Sequence, residues 1–287
     1  MNKLTRLLLG LVITLLSAEY PPELSAQEKT DSLPDNRYTT HATMFGAGRS
    51  HQLDTYLSPQ EYSGPQVTFL RETLRKTHWA AGRVSTQSLL SGYFAYTENA
   101  AQNAEDMAGL IEYQVGWHYN WALPCRLRLM AGGQVGAHAG FLYNTRNGNN
   151  PAQAKAGAEL SASVAALYPF RIRRVPFAVR YQCDMPVMGM MFSPAYGQSY
   201  YELFSEGNYD HNICFTHPGN APTFRQLLTL DFPIKDYTFR IGYRCYIRQS
   251  HVNELKSHIY NHSFMIGYVK HFQFIKRKDR QRSRLIL

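Results

Sequence analysis

The stretch Met107-Ala108-Gly109-Leu110-Ile111-Glu112-Tyr113-Gln114-Val115-Gly116-Trp117-His118-Tyr119-Asn120-Trp121 decides the fold class. From Ile111 onward the odd positions hold Ile111, Tyr113, Val115, Trp117, Tyr119 and Trp121. The even positions hold Glu112, Gln114, Gly116, His118 and Asn120. A strand sends these two sets to opposite faces, whereas a helix would gather Glu112, Val115 and Tyr119 on one side. An apolar, aromatic face backed by a polar one is the pattern of a transmembrane β-strand, with lipid on one side and a lumen on the other. Ile111–Trp121 alone is long enough to cross a bilayer when tilted.

The pattern recurs at Tyr237–Arg248. There Tyr237, Phe239, Ile241, Tyr243, Cys245 and Ile247 oppose Thr238, Arg240, Gly242, Arg244, Tyr246 and Arg248. Compatible segments at 38–48, 65–76, 84–97, 107–121, 126–143, 154–168, 175–187, 223–232, 237–248 and 262–274 predict an all-β, antiparallel transmembrane β-barrel of about ten strands, with eight or twelve as the neighbouring counts. The first two segments alternate least regularly. Short links at Leu123–Cys125, Pro169–Arg174 and Pro233–Asp236 take turns with longer ones at Glu98–Asp106, Asn144–Gln153, Met188–Pro222 and Gln249–Tyr260. Periplasmic turns and extracellular loops alternate in this way. Trp121, Tyr168, Phe232, Tyr237 and Phe272 border the short-turn end, and Phe94, Tyr96, Phe141 and Tyr143 the other. Two aromatic belts are what two bilayer interfaces select. A secreted, soluble β-sandwich or barrel would explain the abundance of aromatics but not their placement at both ends.

The N-terminus reads as an export signal. Lys3 and Arg6 precede the apolar run Leu7–Leu16, and Leu24-Ser25-Ala26 offers a cleavage site. The run is too short for a membrane-spanning helix. No Cys follows it, which speaks against a lipoprotein, and no second apolar stretch of spanning length occurs, so a membrane protein here must be a barrel. The expected plan is a signal peptide over 1–26, a periplasmic segment over 27–37, the barrel over 38–275 and a basic tail over 276–287. The expected address is the outer membrane, with outer-membrane lipid and the barrel-insertion machinery as partners. Composition agrees: 20 Tyr, 15 Phe and 20 Gly accompany only 18% charged residues, which suits strands better than solvated helices. Much of the +9 net charge lies in Lys276–Arg284. No nucleic-acid recognition motif accompanies it, and the export signal argues against such a partner. Cys125, Cys183, Cys214 and Cys245 are scattered without a disulfide-framework spacing.

Gly46-Ala47-Gly48, Leu53-Asp54-Thr55-Tyr56-Leu57-Ser58-Pro59, Glu61-Tyr62-Ser63-Gly64-Pro65 and Tyr196-Gly197-Gln198-Ser199-Tyr200-Tyr201-Glu202 resemble the Bacteroidetes domain-of-unknown-function family 3316 over nearly all of the mature chain. The resemblance implies an outer-membrane-type β-barrel and carries no catalytic residues with it. One departure is visible. Barrels usually end on a C-terminal aromatic that the insertion machinery reads, whereas Phe272 and Phe274 precede further, mostly basic residues.

The predicted lumen collects Glu112, Glu159, Asp184 and Asp231 with Arg128, Lys155, Arg180, Arg240, Arg244 and Arg248. Ten strands leave a bore that side chains can fill, and buried charges must pair. A plugging salt-bridge network is the first expectation and a thin anion-preferring pore the second. An outer-membrane hydrolase or acyltransferase would need a His beside a Ser or carboxylate. Glu112 and His118 share a face but stand about 20 Å apart along the strand, His138 with Gln134 is no better, and no Gly-x-Ser-x-Gly or His-Glu-x-x-His motif occurs. In the Met188–Pro222 segment, His211, Cys214 and His217, beside Asp210, are candidate zinc or copper ligands. His251, Glu254, His258 and His262 form a weaker set. Met188, Met190, Met191, Tyr196, Tyr200 and Tyr201 make the same segment a candidate lid or ligand-binding loop. No cofactor is expected. The leading functional reading is a non-enzymatic envelope barrel that is structural, binds an extracellular ligand or partner through its outer loops, or forms a narrow conduit.

Overall fold

The computed structural model describes residues 37–274 except 149, 174, 210 and 236, with backbone alone at 37, 38 and 272–274. Eleven strands run through them: β1 (Arg37–Asp54), β2 (Ser58–Lys76), β3 (Val84–Asn99), β4 (Glu105–Ala122), β5 (Arg128–Asn144), β6 (Ala152–Ile172), β7 (Val175–Phe192), β8 (Ile213–Thr216), β9 (Thr223–Ile234), β10 (Tyr237–Val252) and β11 (Leu255–Phe274). Every neighbour pair is antiparallel. β1 pairs with both β2 and β11, and β7 joins β6 to β9. Ten strands therefore close a ring. The short β8 lies beyond β9 on the same edge of β7 and adds no position to the ring. Closure leaves no unpaired edge, the condition for placing strands in lipid.

The ring is strongly staggered. One row of paired residues runs Lys76, Ser85, His118, Gly132, Ser163, Asp184, Arg225, Tyr246, Asn261 and Ser50. It starts at the bottom of β2 and reaches the upper part of β1. Such stagger goes with the strand tilt a barrel requires. The glycines in the wall serve close approach. A Cβ on Gly132 would lie 1.8 Å from the Trp117 carbonyl oxygen. Pro186 is accommodated at a bulge, where β6 keeps step with β7 by skipping Val187.

The two faces of β4 separate as the alternation predicts. Glu112, Gln114 and His118 are buried, and Ile111, Tyr113, Trp117 and Trp121 are exposed. Inside, Met44, Leu70, Leu89 and Met265 form an apolar patch, and Leu57, Ala95, Ala108 and Leu142 a second one near the loop end. All ten predicted segments lie within observed strands or extend one by at most two residues. β11 ends at Phe274, so the last strand stands where the sequence placed it.

The differences concentrate at the loop end. β1, β2, β7, β10 and β11 run several residues past their predicted limits there. The link expected over Gln249–Tyr260 is a tight hairpin turning at Asn253 and Glu254, both at positive φ (50° and 61°), as two-residue hairpins favour. Toward the loop end the outward positions include exposed polar residues such as His51, His251 and Lys256, so the polar/apolar alternation that marks a strand fades. One short-end link, 77–83, is longer than this hairpin, so loop length separates the two ends less cleanly than expected. Arg128, expected in the lumen, opens β5 beside the turn after Ala122 and is exposed.

Val135 points outward, is 53% exposed and stands midway along β5. In a membrane barrel, Val135→Arg is expected to cost about 2–4 kcal/mol of unfolding free energy in lipid vesicles, while Val135→Leu costs almost nothing. A neutral Val135→Arg variant in urea titrations would mean that this face does not meet lipid.

Candidate functional site

The lumen is the most highly organised part of the molecule. Its lower half is built on Glu72 of β2. Arg180 of β7 reaches one oxygen of Glu72 at 2.5 Å, and Arg240 of β10 reaches the other at 2.8 Å. Arg240 also grips Asp231 of β9 with two parallel bonds of 2.6 and 2.8 Å, the fork geometry that makes Arg–carboxylate pairs strong. Gln87 donates to Glu72 at 2.6 Å and to Gln182 at 2.9 Å, and Arg180 also contacts Gln182. Five strands, β2 and β3 on one wall and β7, β9 and β10 on the other, are thus tied across the bore.

A second knot is centred on Glu112 of β4. Arg225 of β9 lies 2.9 Å from Glu112 and 2.5 Å from Glu159 of β6. Arg244 approaches Glu112 at 3.4 Å, and the Tyr246 hydroxyl donates to it at 3.0 Å. The Arg225 and Arg244 guanidiniums also lie 5.7 and 5.6 Å from the Tyr246 ring centre. Arg248 contacts Tyr246 and the His138 ring nitrogen, at 3.4 and 2.5 Å. Above this knot Lys155 pairs with Asp54. Between the two knots, Asp184 accepts from Ser163 at 2.5 Å and Gln182 at 3.0 Å. Lumen cavities beside Arg248 and beside Arg244 measure about 10 Å³ each, room for about one water.

The sequence-predicted set Glu112, Glu159, Asp184, Arg180, Arg240, Arg244 and Arg248 is therefore brought together, with Asp231 and Lys155. Glu72 and Arg225, the two best-connected additions, are missing from it. Arg225 has the same strand parity as Asp231, so its inward direction was available. Glu72 follows inward-facing Leu70, and an apolar inward neighbour conceals the polar face of β2.

His118, Ser163 and Asp184 also meet. The His118 Nε2 lies 2.7 Å from the Ser163 Oγ, but Asp184 bonds to the serine rather than orienting the histidine, and all three are buried within the lumen packing. A nucleophile triad needs the carboxylate on the imidazole, so this arrangement reads as a structural network. Glu112 centres the upper knot, whereas His118 joins the Ser163–Asp184 network between the two knots.

The loop end is tied over by the segment between β7 and β9. The helix α1 (Tyr200–Phe204) opens with a capping box: Glu202 N–H donates to Ser199 Oγ, and Ser199 N–H to the Glu202 carboxylate. Leu203 is fully buried beneath it. Tyr56, in the β1–β2 turn, donates its hydroxyl to the Gln198 carbonyl at 2.8 Å. Burial pushes this phenol up to about 12, with Tyr200, Asp54 and Glu202 adding in the same direction, so it remains a donor. Asn253 donates to the Ser193 and His211 carbonyls at 3.0 Å each, and the Tyr200 hydroxyl accepts from Ala154 N–H at 2.6 Å. Tyr196, Tyr201, Phe204 and Tyr209 stay exposed.

In the same segment, Cys214 Sγ faces the His211 carbonyl at 3.4 Å, and His217 Nδ1 accepts from Gly219 N–H. Among the described residues no group of three or more His, Cys, Asp or Glu is placed to hold a metal ion. Asp210 lies outside them. Of the weaker set, His258 contacts Glu61 at 3.6 Å and His262 contacts Tyr243, both on the outer face.

A family model described as "Protein of unknown function (DUF3316)" matches residues 7–279. No curated protein matches the chain. Among solved structures, the transport unit of the autotransporter AIDA-I from Escherichia coli aligns at 8% identity and TM-score 0.48, over 93% of this chain and 97% of that one. The β-domain of the Bordetella autotransporter BrkA aligns at 11% identity and TM-score 0.40, over 82% and 99%. An outer-membrane channel from Pseudomonas putida F1 aligns at 9% identity and TM-score 0.36, over 88% and 100%.

Replacing Glu72 with Leu removes the carboxylate shared by Arg180 and Arg240, and is expected to cost about 3–5 kcal/mol in urea unfolding. The double variant Glu72→Leu/Arg180→Leu is expected to recover much of that loss, because Arg240 keeps Asp231. Equal losses in single and double variants would contradict the pairing.

Proposed function

The chain belongs to that family of proteins of unknown function, and from the filled lumen of this member we propose a closed, non-conducting barrel of the outer membrane that holds a built surface loop outside the cell. The observation that carries this reading is the pair of ion-pair knots on Glu72 and Glu112, which join opposite walls at two heights. The cell we assign it to is a two-membrane bacterium of the Bacteroidetes. Export through the 1–26 segment is supported by the Leu7–Leu16 run and the small residues at 24–26.

The interior arginines are matched by interior acids, so the bore carries no surplus of cations of the kind an anion conduit would use. A hydrolase or acyltransferase reading draws no support from the Ser163–His118–Asp184 geometry. The loop draws support as the working surface from its construction. It is capped, bonded to three neighbouring elements and anchored by Leu203, yet turns Tyr196, Tyr201, Phe204 and Tyr209 outward. Exposed aromatics on a fixed frame suit recognition of a ligand or partner protein.

Two measurements test this. Purified barrel in planar bilayers is expected to give no steady conductance, and regular single-channel steps from the wild-type chain would overturn the closed reading. Chymotrypsin added to intact cells is expected to cut within the loop at Tyr196, Tyr201, Phe204 or Tyr209. Protection in intact cells, with cleavage only after the envelope is opened, would overturn the proposed orientation.

A further inference from the structure

A closed lumen makes no demand on the outer wall, yet that wall holds an apolar concavity with exposed basic side chains above it. A groove of about 630 Å³ runs across β1 to β5 on the outer face. Phe45, Val67, Phe94, Ile111 and Phe141 form its sides, all exposed, and Gly109 and Ala139 lie in its floor. Gly109 shapes the depression. The Phe141 ring lies over it, and a Cβ there would come within 2.8 Å of that ring.

Above the groove, on β1 and β11, the outer face carries basic groups. Arg49 stands two outward positions above Phe45 on β1 and is paired across the sheet with His262 of β11. Both are exposed. Arg49 forms no ion pair among the described residues. The Tyr243 hydroxyl lies 2.7 Å from His262 Nδ1, so it is the other ring nitrogen that can turn to a ligand. His51 and Lys256 add exposed basic groups higher on the same face, where Glu61 is engaged by His258. The level of these groups follows from strand length. On β10, Tyr237 marks the short-turn end, and Ile247 stands about ten residues higher, the crossing length of a tilted strand. Ile247 is paired with Tyr260, which is paired with His51. Arg49 and His262 lie one outward step below that row, at the height of lipid headgroups on the loop side.

An unpaired guanidinium at that height, above an apolar groove leading toward the membrane interior, matches one kind of molecule. We infer that the wall binds a lipid bearing an anionic phosphate monoester, the phosphate on Arg49 and His262 and an acyl chain in the Phe45–Val67–Phe141 groove. The guanidinium fork suits phosphate oxygens, and the groove walls replace lipid neighbours for the chain. The inference rests on the membrane-spanning reading above.

The test uses the full mature chain folded in detergent, its folding verified by a heat-dependent gel shift, and incubated with equal amounts of dioleoyl phosphatidic acid and dioleoylglycerol. Lipid retained after washing is measured by mass spectrometry. The wild type is expected to retain the phosphate-bearing lipid about ten-fold over the phosphate-free one, the worth of one charge-assisted hydrogen bond. Arg49→Gln/His262→Gln is expected to bring the two to parity, and Gly109→Val to lower retention of both. Excess inorganic phosphate is expected not to displace the lipid. Parity in the wild type, an unchanged preference in Arg49→Gln/His262→Gln, or displacement by inorganic phosphate alone would each overturn the inference. Should a variant not fold, the wild-type ratio and the phosphate competition still decide. A wild-type chain that stays soluble without detergent and shows no gel shift would instead overturn the membrane reading itself.

Discussion

A guanidinium enclosed by a closed sheet with an apolar outer face has no bulk water to fall back on, and this constraint organises the rest of the molecule. Arg180, Arg225, Arg240 and Arg244 all project into the bore, and each finds a carboxylate from another strand. Leaving one such charge unpaired costs several kcal/mol, so the acids and bases must arrive at matching heights. The stagger of the ring decides which residues meet. Glu112 of β4 and Arg225 of β9 are far apart in sequence and along the sheet, yet they touch because the barrel closes. Register errors are penalised twice: a slip of one residue would turn a charge onto the apolar outer face and leave its partner alone in the lumen.

The parts of this arrangement that could be read from sequence are those where one face is uniformly apolar. β4 and β10 declared both their direction and their inward charges, because lipid on one side and a polar bore on the other enforce strict alternation. β2 did not. Its inward positions include Leu70, which packs with Met44, Leu89 and Met265, and an inward apolar patch erases the contrast that would have exposed Glu72. The upper ends of β1, β2, β7, β10 and β11 were illegible for the opposite reason. There the outward residues, such as His51, His251 and Lys256, are polar and exposed and read as loop. Arg128 shows the converse error, since parity carried into the first residue of a strand fails where the chain is still leaving its turn.

Filling the bore fixes what kind of site the protein can offer. Two ion-pair knots joined by Gln134, Gln182 and Asp184 leave cavities of about one water, so the proposed recognition falls to surfaces that face outward. One is the segment stitched across the loop end by Tyr56, Tyr200 and Asn253. The other is the wall itself, where Arg49 and His262 stand above an apolar groove. Both use the barrel as a rigid mount, with side chains positioned by strands that cannot shift without breaking the lumen network.

The most direct test of the account is fractionation of the expressed chain, with heated and unheated samples run side by side on a detergent gel. The account predicts enrichment in the outer membrane and a mobility shift on heating, because a closed sheet held by buried ion pairs resists detergent until it is boiled. Recovery in a detergent-free soluble fraction with no shift would contradict it, and the alternating faces would then have to belong to a soluble β-structure.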